Sequence, residues 1–269
     1  MKLHLITFAT PDFAPQAEAL ASSALAAGFA HGTVFGPADL GGSDFAQRNK
    51  AILEQKRGGG YWLWKPYLIR RALESLQSDD VVLYSDAGRT AYYQFAGYPR
   101  SLVSMVNGTA SGFLLGPSVP HVGTIGAWTK RDCLTLMGAD THLLRSKPLL
   151  MTWSLWRPTN EAFKFLDVWQ SYAEDPRCLT DMENKMGKPN HPEFRDHRHD
   201  QSIMAILAYK SNAPYIDLSN TLTHRLITAR PGSELSQTFY KRPQNVEDVL
   251  GGASPLIFLR EYLRLRRLR

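Results

Sequence analysis

Residues 58–89 constrain the fold of this chain more than any other stretch. Three glycines and an aromatic segment lead to Pro66, which suits the first turn of a helix because its missing N–H costs nothing there. Apolar residues then recur every three or four positions up to Leu76, and residues 81–84 form an apolar run typical of a strand buried on both faces. Asp86 follows that strand. Because ligands in open α/β sheets bind beyond the carboxyl ends of strands, Asp86 is a candidate ligand or metal contact, unless it is only a turn residue.

The segments before this stretch predict alternating strands and helices. We expect strands at residues 3–8 and 33–35, and helices at residues 14–27 and 45–55. This order predicts an α/β fold with a parallel sheet. Neither a G-x-G-x-x-G motif after the first strand nor a Walker A motif occurs, which argues against nicotinamide and P-loop ATP chemistry. The glycine run at residues 58–60 either cradles a phosphate or forms a flexible surface turn.

The second informative stretch surrounds Asp200. A polar loop at residues 185–198 leads to Asp200 and then to an apolar helix at residues 203–209. The Asp200 carboxylate suits the N-cap of this helix, where it would accept hydrogen bonds from N–H groups two or three residues on. His197 and His199 are two residues apart and are a possible ligand pair, although a metal would need further ligands.

Between the two stretches the pattern predicts three further elements. We expect a helix at residues 128–137, a strand at residues 151–157 and a helix at residues 160–172. The two cysteines, Cys133 and Cys178, fit neither a metal-binding spacing nor a disulfide scaffold, which favours a reducing cytoplasm.

Three motifs, YWLWKP, DDVVLYSDAG and RHDQS, together resemble a group of bacterial glycosyltransferases of the GT-A type, and more loosely glycosyltransferase families 8 and 32. The resemblance runs from the first strand to Tyr209. It implies a Rossmann-like nucleotide-diphospho-sugar transferase fold, with a mostly parallel central sheet flanked by helices and one catalytic domain over residues 1–253. The implied activity is retaining transfer of a sugar from a nucleotide sugar, with a UDP-sugar favoured, to a glycan or lipid-linked acceptor in cell-surface polysaccharide synthesis.

The resemblance also implies roles for single residues. In these families a D-x-D motif binds a divalent metal, Mn²⁺ or Mg²⁺, together with the donor diphosphate, and this chain keeps only the last acid, as Asp86. Lys65 matches the basic residue that is implied to contact the diphosphate. Asp200 and Gln201 match an Asp-Gln pair that faces the donor sugar and its anomeric carbon, and they are the implied catalytic residues. The donor-binding candidates are Thr7, Arg48, Trp64, Lys65, Asp86, Ala87, Gly88 and His199, with Asp86 as the candidate metal ligand.

Two other interpretations stay open. One is a non-catalytic nucleotide-sugar-binding protein on a degenerate transferase fold, which the incomplete acid motif favours. The other is a metal-dependent phosphohydrolase that uses Asp86, His197 and His199. Nucleic-acid binding is disfavoured because the basic residues form no stripe along the body: the formal net charge is +6, and about +4 of it lies in residues 254–269.

Residues 254–269 form a basic amphipathic segment with five arginines and one glutamate. On a helical wheel Arg260, Arg264 and Arg267 share one face, and apolar side chains share the other. This pattern predicts either binding to an anionic membrane surface or a helix packed on the body with solvated arginines. No run of eighteen apolar residues occurs, so we expect no helix that spans a membrane. We expect a cytoplasmic protein, which would be peripheral at the inner face of the cell membrane if this segment binds lipid.

Overall fold

A six-stranded sheet organises the described part of the chain. The structure, a computed structural model, describes residues 1–88, 95, 97–118 and 123–217. The strands are β1 Leu3–Phe8, β2 His31–Phe35, β3 Val81–Ser85, β4 Phe113–Ser118, β5 Trp153–Trp156 and β6 Tyr215–Asp217. They pair in the order β2-β1-β3-β5-β4-β6, and all run in one direction except β5, which is antiparallel to both neighbours. The predicted α/β class with a mostly parallel sheet is confirmed.

Helices cover the sheet and connect its strands. They are α1 Ala14–Ala26, α2 Asp44–Arg48, α3 Lys50–Leu53, α4 Gly58–Tyr61, α5 Trp64–Glu74, α6 Arg100–Asn107, α7 Arg131–Leu136, α8 Thr141–Arg145, α9 Asn160–Ala173, α10 Pro176–Leu179 and α11 Asp200–Lys210, with 3₁₀ helices at Pro11–Phe13 and Pro37–Leu40. In the described ranges, no helix is long and apolar enough to cross a membrane.

The predicted helix at residues 45–55 is divided into α2 and α3. Asn49 separates them, with φ −107° and ψ 13°, and its side-chain amide donates a hydrogen bond to the carbonyl oxygen of Phe45 at 2.9 Å. The short polar side chain of Asn offers the backbone an alternative partner, which explains why the helix ends there.

The alternation of side chains along the strands fills a core on each face of the sheet. Ile6 and Val82 belong to the larger core, which α5, α9 and α11 cover. Leu5 and Leu83 belong to the core on the opposite face, which α1 and α6 cover. Because β3 is buried along its whole length, its sequence reads as a continuous apolar run rather than an alternating one.

One edge of the sheet brings the informative stretches together. β1 and β3 are parallel neighbours, so their carboxyl ends lie side by side. The antiparallel β5 begins at the same edge, where Ser85 is paired with Trp153 and the N–H of Asp86 donates to the carbonyl oxygen of Thr152 at 2.7 Å. This is the edge at which α/β sheets bind ligands.

Candidate active site

Three charged side chains from distant parts of the sequence meet at this edge. The Lys65 ammonium, in the first turn of α5, lies 2.6 Å from Oδ2 of Asp200 and 3.5 Å from Oδ1 of Asp86. It also donates a hydrogen bond to the carbonyl oxygen of Met151 at 3.2 Å. We call Lys65, Asp86 and Asp200 the ion cluster. Lys65 and Asp200 are 135 residues apart in the chain, so the tertiary fold assembles this cluster.

Asp86 is the member of the ion cluster that is accessible from outside. Its side chain is 31% exposed, against 2% for Lys65 and 8% for Asp200. Tyr84, two residues earlier on the same face of β3, donates its hydroxyl hydrogen bond to Oδ1 of Asp86. The buried Tyr84 and Lys65 therefore hold the Asp86 carboxylate from the interior, and a ligand would meet Asp86 first.

Burial and charge act in opposite directions on these groups. Burial alone would lower the pKa of Lys65, but the carboxylates of Asp200 and Asp86 outweigh it and raise that pKa, so the ammonium stays charged. Desolvation raises the pKa of Asp86, although Lys65 and the Tyr84 hydroxyl oppose the change. Burial, reinforced by the nearby Asp86 charge, raises the pKa of Tyr84 well above its ordinary value, so the hydroxyl keeps its proton.

Asp200 is not the N-cap of α11. The helix begins at Asp200, and the N-cap residue is His199, which makes no side-chain capping bond. The predicted capping role is therefore wrong, because the carboxylate accepts from Lys65 instead. Gln201 follows in the first turn, half-buried, and stands next to the ion cluster in sequence.

Four other predicted donor-binding residues lie along β1, β3 and α5. Trp64 stacks on Phe8 with ring centroids 4.0 Å apart. Thr7, in β1, is buried, and its hydroxyl has no hydrogen-bond partner within the described ranges. Ala87 is buried and Gly88, with φ 72°, is half-buried directly after Asp86. The structure thus places these residues at or beside the carboxyl edge.

Two predicted donor-binding residues, Arg48 and the predicted diphosphate contact Lys65, already pair with other groups of the protein. Arg48 pairs with Glu174, which directly follows α9, at 3.1 Å, so it is not part of the ion cluster. The Lys65 ammonium is enclosed by three oxygen partners and is almost inaccessible. In this arrangement Lys65 positions the two carboxylates rather than presenting its charge to a ligand.

Residues 58–62, which include α4, form a left-handed turn that we call the glycine turn. All five residues have positive φ, between 54° and 95°. Such backbone costs roughly 1–2 kcal/mol for a residue with a side chain, so the three glycines lower the cost of the turn. The N–H groups of residues 59–62 donate to the main-chain carbonyl oxygens of residues 55–58. They are therefore not available to a phosphate, and the possible phosphate cradle is not supported.

His199 links the glycine turn to the loop before α11. Its Nδ1 lies 2.8 Å from the carbonyl oxygen of Leu179, which can only accept, so Nδ1 carries the proton. The ring lies against Tyr61 and Trp62, with centroids 5.0 and 5.5 Å away. Nε2 lies 3.8 Å from Oδ1 of Asp181, and burial lowers the pKa of His199 although Asp181 opposes this. His199 also has a positive φ of 50°, which fixes the backbone just before Asp200.

His197 does not offer a free metal-binding nitrogen. Its Nε2 lies 2.7 Å from the carbonyl oxygen of Cys178, and its Nδ1 accepts from the N–H of Lys130 at 3.4 Å. Burial lowers the pKa of His197 well below its ordinary value, so the ring is neutral. The predicted ligand pair of His197 and His199 is therefore not available, which removes the main support for a metal-dependent phosphohydrolase.

The ion cluster does not fit a divalent metal as it stands. Residues 85 and 87, on either side of Asp86, carry no carboxylate, and one Asp86 oxygen already accepts from Tyr84. The Lys65 ammonium, 3.5 Å from the same oxygen, would repel a second cation. Over the part of the chain that the structure describes, no group of three or more His, Cys, Asp or Glu side chains is arranged to hold a metal.

A groove of about 570 Å³ opens beyond the carboxyl ends of β1 and β2, and Lys65, Asp86 and Asp200 are not among its lining residues. Phe8, Thr10 and Gly59 of the glycine turn line it. Its charged lining residues are Lys50, Lys56, Asp12 and Glu54, and Lys50 is paired with Glu54 at 3.7 Å. Its size is within the range of small-molecule sites in proteins. Phe8 joins the two regions, because its ring stacks on Trp64, the residue before Lys65.

Sequence reasoning missed several contributors to this region. Tyr84 was detectable, because residues two apart on a strand share a face and Tyr84 precedes Asp86 by two. Lys50 and Lys56 gave only a weak signal as cations near a glycine run. The carbonyl oxygen of Met151 gave no signal at all, because any residue type supplies the same main-chain group.

Comparisons with known proteins give structural likenesses only. No protein-family model matches the chain, and no curated protein matches it. The chain is similar to the apo crystal structure of mouse xyloside xylosyltransferase 1, with 11% identity, coverage of 91% of this chain and 96% of that one, and a TM-score of 0.42. It is also similar to a glycosyltransferase involved in glycosylation of the major capsid of PBCV-1, with 11% identity, coverage of 92% and 98%, and a TM-score of 0.39.

Proposed function

We propose that this protein is a GT-A glycosyltransferase that moves a sugar from a nucleotide sugar, with a UDP-sugar as the favoured donor, to a glycan or lipid-linked acceptor. One observation carries the proposal. The three sequence motifs that resemble such enzymes contribute Lys65, Asp86 and Asp200, and these side chains meet in one ion cluster at the carboxyl edge of the sheet. Chance motif matches would have no reason to converge in space.

The groove supports the assignment of a nucleotide donor. It lies beyond the ends of β1 and β2, where doubly wound sheets bind nucleotides, and the stacking of Phe8 on Trp64 links it to the segment that carries Lys65. In the proposed reaction the bond between the anomeric carbon and the diphosphate breaks, and the acceptor hydroxyl oxygen takes its place and releases its proton. Negative charge grows on the departing diphosphate, and cations near it lower the barrier. Of the two lysines that line the groove, we assign Lys56 to this task, because Lys50 is paired with Glu54 at 3.7 Å.

The ion cluster is suited to the sugar rather than to the diphosphate. With both carboxylates ionised, Asp86 and Asp200 outweigh the single charge of Lys65, so the cluster carries a net charge of about −1 by simple counting. Such a site attracts hydroxyl donors and repels phosphates. We therefore assign Asp86 to the donor sugar hydroxyls and place Gln201 near the anomeric carbon. Retention of configuration and a role in surface polysaccharide synthesis follow from the resemblance alone.

A ligand screen tests the proposal. Thermal unfolding of the wild type should be measured with a panel of nucleotide sugars, free nucleotides and sugar phosphates, because a ligand of the native state raises the melting temperature. We expect at least one nucleotide sugar to stabilise the protein and to be consumed when an acceptor extract is added. Stabilisation without any consumption would instead favour a non-catalytic binding protein, and no stabilisation by any nucleotide sugar would contradict the proposal.

A further inference from the structure

The Lys65 ammonium occupies the centre of a set of oxygen ligands. Oδ2 of Asp200, Oδ1 of Asp86 and the carbonyl oxygen of Met151 surround it at 2.6, 3.5 and 3.2 Å. Two carboxylates and a carbonyl are also what a hard divalent cation uses. The resemblance to metal-dependent transferases implies such a cation near Asp86, yet a side chain of the protein already supplies a positive charge between the two acids.

We propose that Lys65 is a built-in cation that takes the place of a divalent metal, and that removing its side chain turns the same oxygens into a divalent-cation site. The consequence for sugar transfer, which is that the wild type needs no metal at the ion cluster, rests on the proposed function. The metal-binding part stands on the described contacts alone.

Charge balance supports the replacement of the Lys65 ammonium by a divalent ion. With Lys65 in place, the two carboxylates have one positive partner, and a divalent ion would have to sit within a few ångströms of a buried ammonium. Repulsion at that distance is strong in a poorly solvated site. Without the ammonium, two carboxylates face an uncharged space, and a divalent ion would neutralise both.

The exposure of the site to solvent also supports the replacement of the ammonium by an ion. Asp86 is partly exposed, so an ion has a route from solvent to the space that the shortened side chain leaves. Tyr84 donates to Oδ1 of Asp86 from the interior, and this carboxylate oxygen has a second lone pair with which it can bind the ion that replaces the ammonium. The Met151 carbonyl keeps its place because it precedes β5, which is anchored in the sheet by its pairing with β3.

The test is a titration with Mn²⁺ alone, with no nucleotide sugar present. Thermal unfolding and Mn²⁺ electron paramagnetic resonance should be recorded for the wild type, Lys65→Ala and the double variant Lys65→Ala/Asp200→Asn. We expect no shift for the wild type. For Lys65→Ala we expect a rise in melting temperature of about 5 °C or more at a Mn²⁺ concentration 100-fold above Kd. The double variant, which has lost one carboxylate, should lose most of that rise.

Two results would overturn the proposal. One is Mn²⁺ binding by the wild type that Asp86→Asn abolishes, because the metal and the ammonium would then coexist. The other is a folded Lys65→Ala protein that does not bind Mn²⁺ and shows no rise in melting temperature. If Lys65→Ala does not fold without metal, it should be refolded with Mn²⁺ present: the proposal requires that Mn²⁺ restores a folded protein, and a failure to restore it would overturn the proposal. An absence of donor turnover would count against the proposed function and leave this titration unaffected.

Discussion

The pair of Lys65 and Asp200 is buried, so its two partners depend on each other. Removing one partner of a buried ion pair typically costs about 3–5 kcal/mol, because the other charge is left without compensation. We predict that Asp200→Ser lowers the free energy of unfolding by about 3 kcal/mol, whereas a residue that only capped the helix would tolerate serine. Urea unfolding measures this change. Asp167→Ser, which breaks an exposed pair with Arg70, is the control and should cost under about 1 kcal/mol.

A double variant separates the ion pair from the rest of the site. Lys65→Met/Asp200→Leu should recover most of the stability that Asp200→Ser loses, because it removes both buried charges and leaves only Asp86, which is partly exposed to solvent. We expect sugar transfer to be lost in Asp200→Ser and not to be recovered in the double variant. Gln201→Ala should slow transfer with little effect on stability. If Asp200→Ser and Gln201→Ala both transfer sugar at the wild-type rate, Asp200 and Gln201 have only a structural role.

The buried histidines predict how stability depends on pH. The pKa of His197 is far below the ordinary value of 6.5, and that of His199 is also lowered, mainly by burial. Below pH 6.5 the unfolded chain binds protons that the folded chain does not, so the free energy of unfolding falls as pH falls. The slope is at most about 1.4 kcal/mol per pH unit for each histidine.

His197→Gln isolates that effect. Glutamine keeps a donor for the carbonyl of Cys178 and does not titrate. Urea midpoints measured between pH 8 and pH 5.5 should fall less steeply with acid in this variant than in the wild type. Equal slopes for the two proteins would mean that His197 is not held neutral by burial.

The glycine turn directly precedes α5 and fixes the path of the backbone that leads to Lys65. A Cβ on Gly60, where φ is 95°, would lie 2.7 Å from Cα of Leu53, a main-chain atom that cannot easily move. Gly187 also has a positive φ, of 73°, but a Cβ there meets nothing within 4 Å. We predict that Gly60→Ala costs about 2 kcal/mol more than Gly187→Ala, the difference being steric overlap, and that only Gly60→Ala weakens transfer. Urea unfolding of both variants checks this, and equal costs would mean that the turn relaxes freely.

Local patterns predicted the elements of the sheet better than their arrangement. Hydrophobic periodicity predicted α9 and β3, because each of them buries a continuous apolar surface. The antiparallel direction of β5 was not, since its residues pack equally well in either direction. The left-handed glycine turn was also hidden, because three glycines permit many backbone conformations and only contacts with Leu53 and His199 select one.

At the site, sequence reasoning found the acids but not all of their partners. Asp86 and Asp200 follow from motif positions. The ion pair with Lys65 depends on α5 and α11 both beginning at the same edge of the sheet, which no spacing within either motif encodes. The capping role predicted for Asp200 failed for this reason, because a tertiary partner replaced the local one.

The basic segment at residues 254–269 concerns the whole molecule and lies outside the described residues. Each basic residue near an anionic surface contributes about 1 kcal/mol, so a net charge of about +4 gives roughly 4 kcal/mol, or millimolar affinity before the apolar face adds to it. We predict that deleting residues 255–269 abolishes sedimentation with anionic vesicles while donor cleavage in solution is kept. Binding that is independent of salt or of this segment would contradict the prediction, and unfolding on deletion would mean that the segment packs on the body.

The central claim is that Asp86, held by Lys65 and Tyr84 at the carboxyl edge of the sheet, takes part in sugar transfer from a nucleotide donor. The most direct test is the initial rate of donor consumption, at a saturating concentration of the nucleotide sugar that stabilises the wild type, for the wild type, Asp86→Asn and Asp79→Asn. Asp79 lies at the opposite end of β3, is 61% exposed, and serves as the matched control. We predict a rate at least about 100-fold lower for Asp86→Asn, as expected when a group that acts on the reacting sugar is lost, and an unchanged rate for Asp79→Asn. Wild-type turnover by a folded Asp86→Asn protein would contradict the claim.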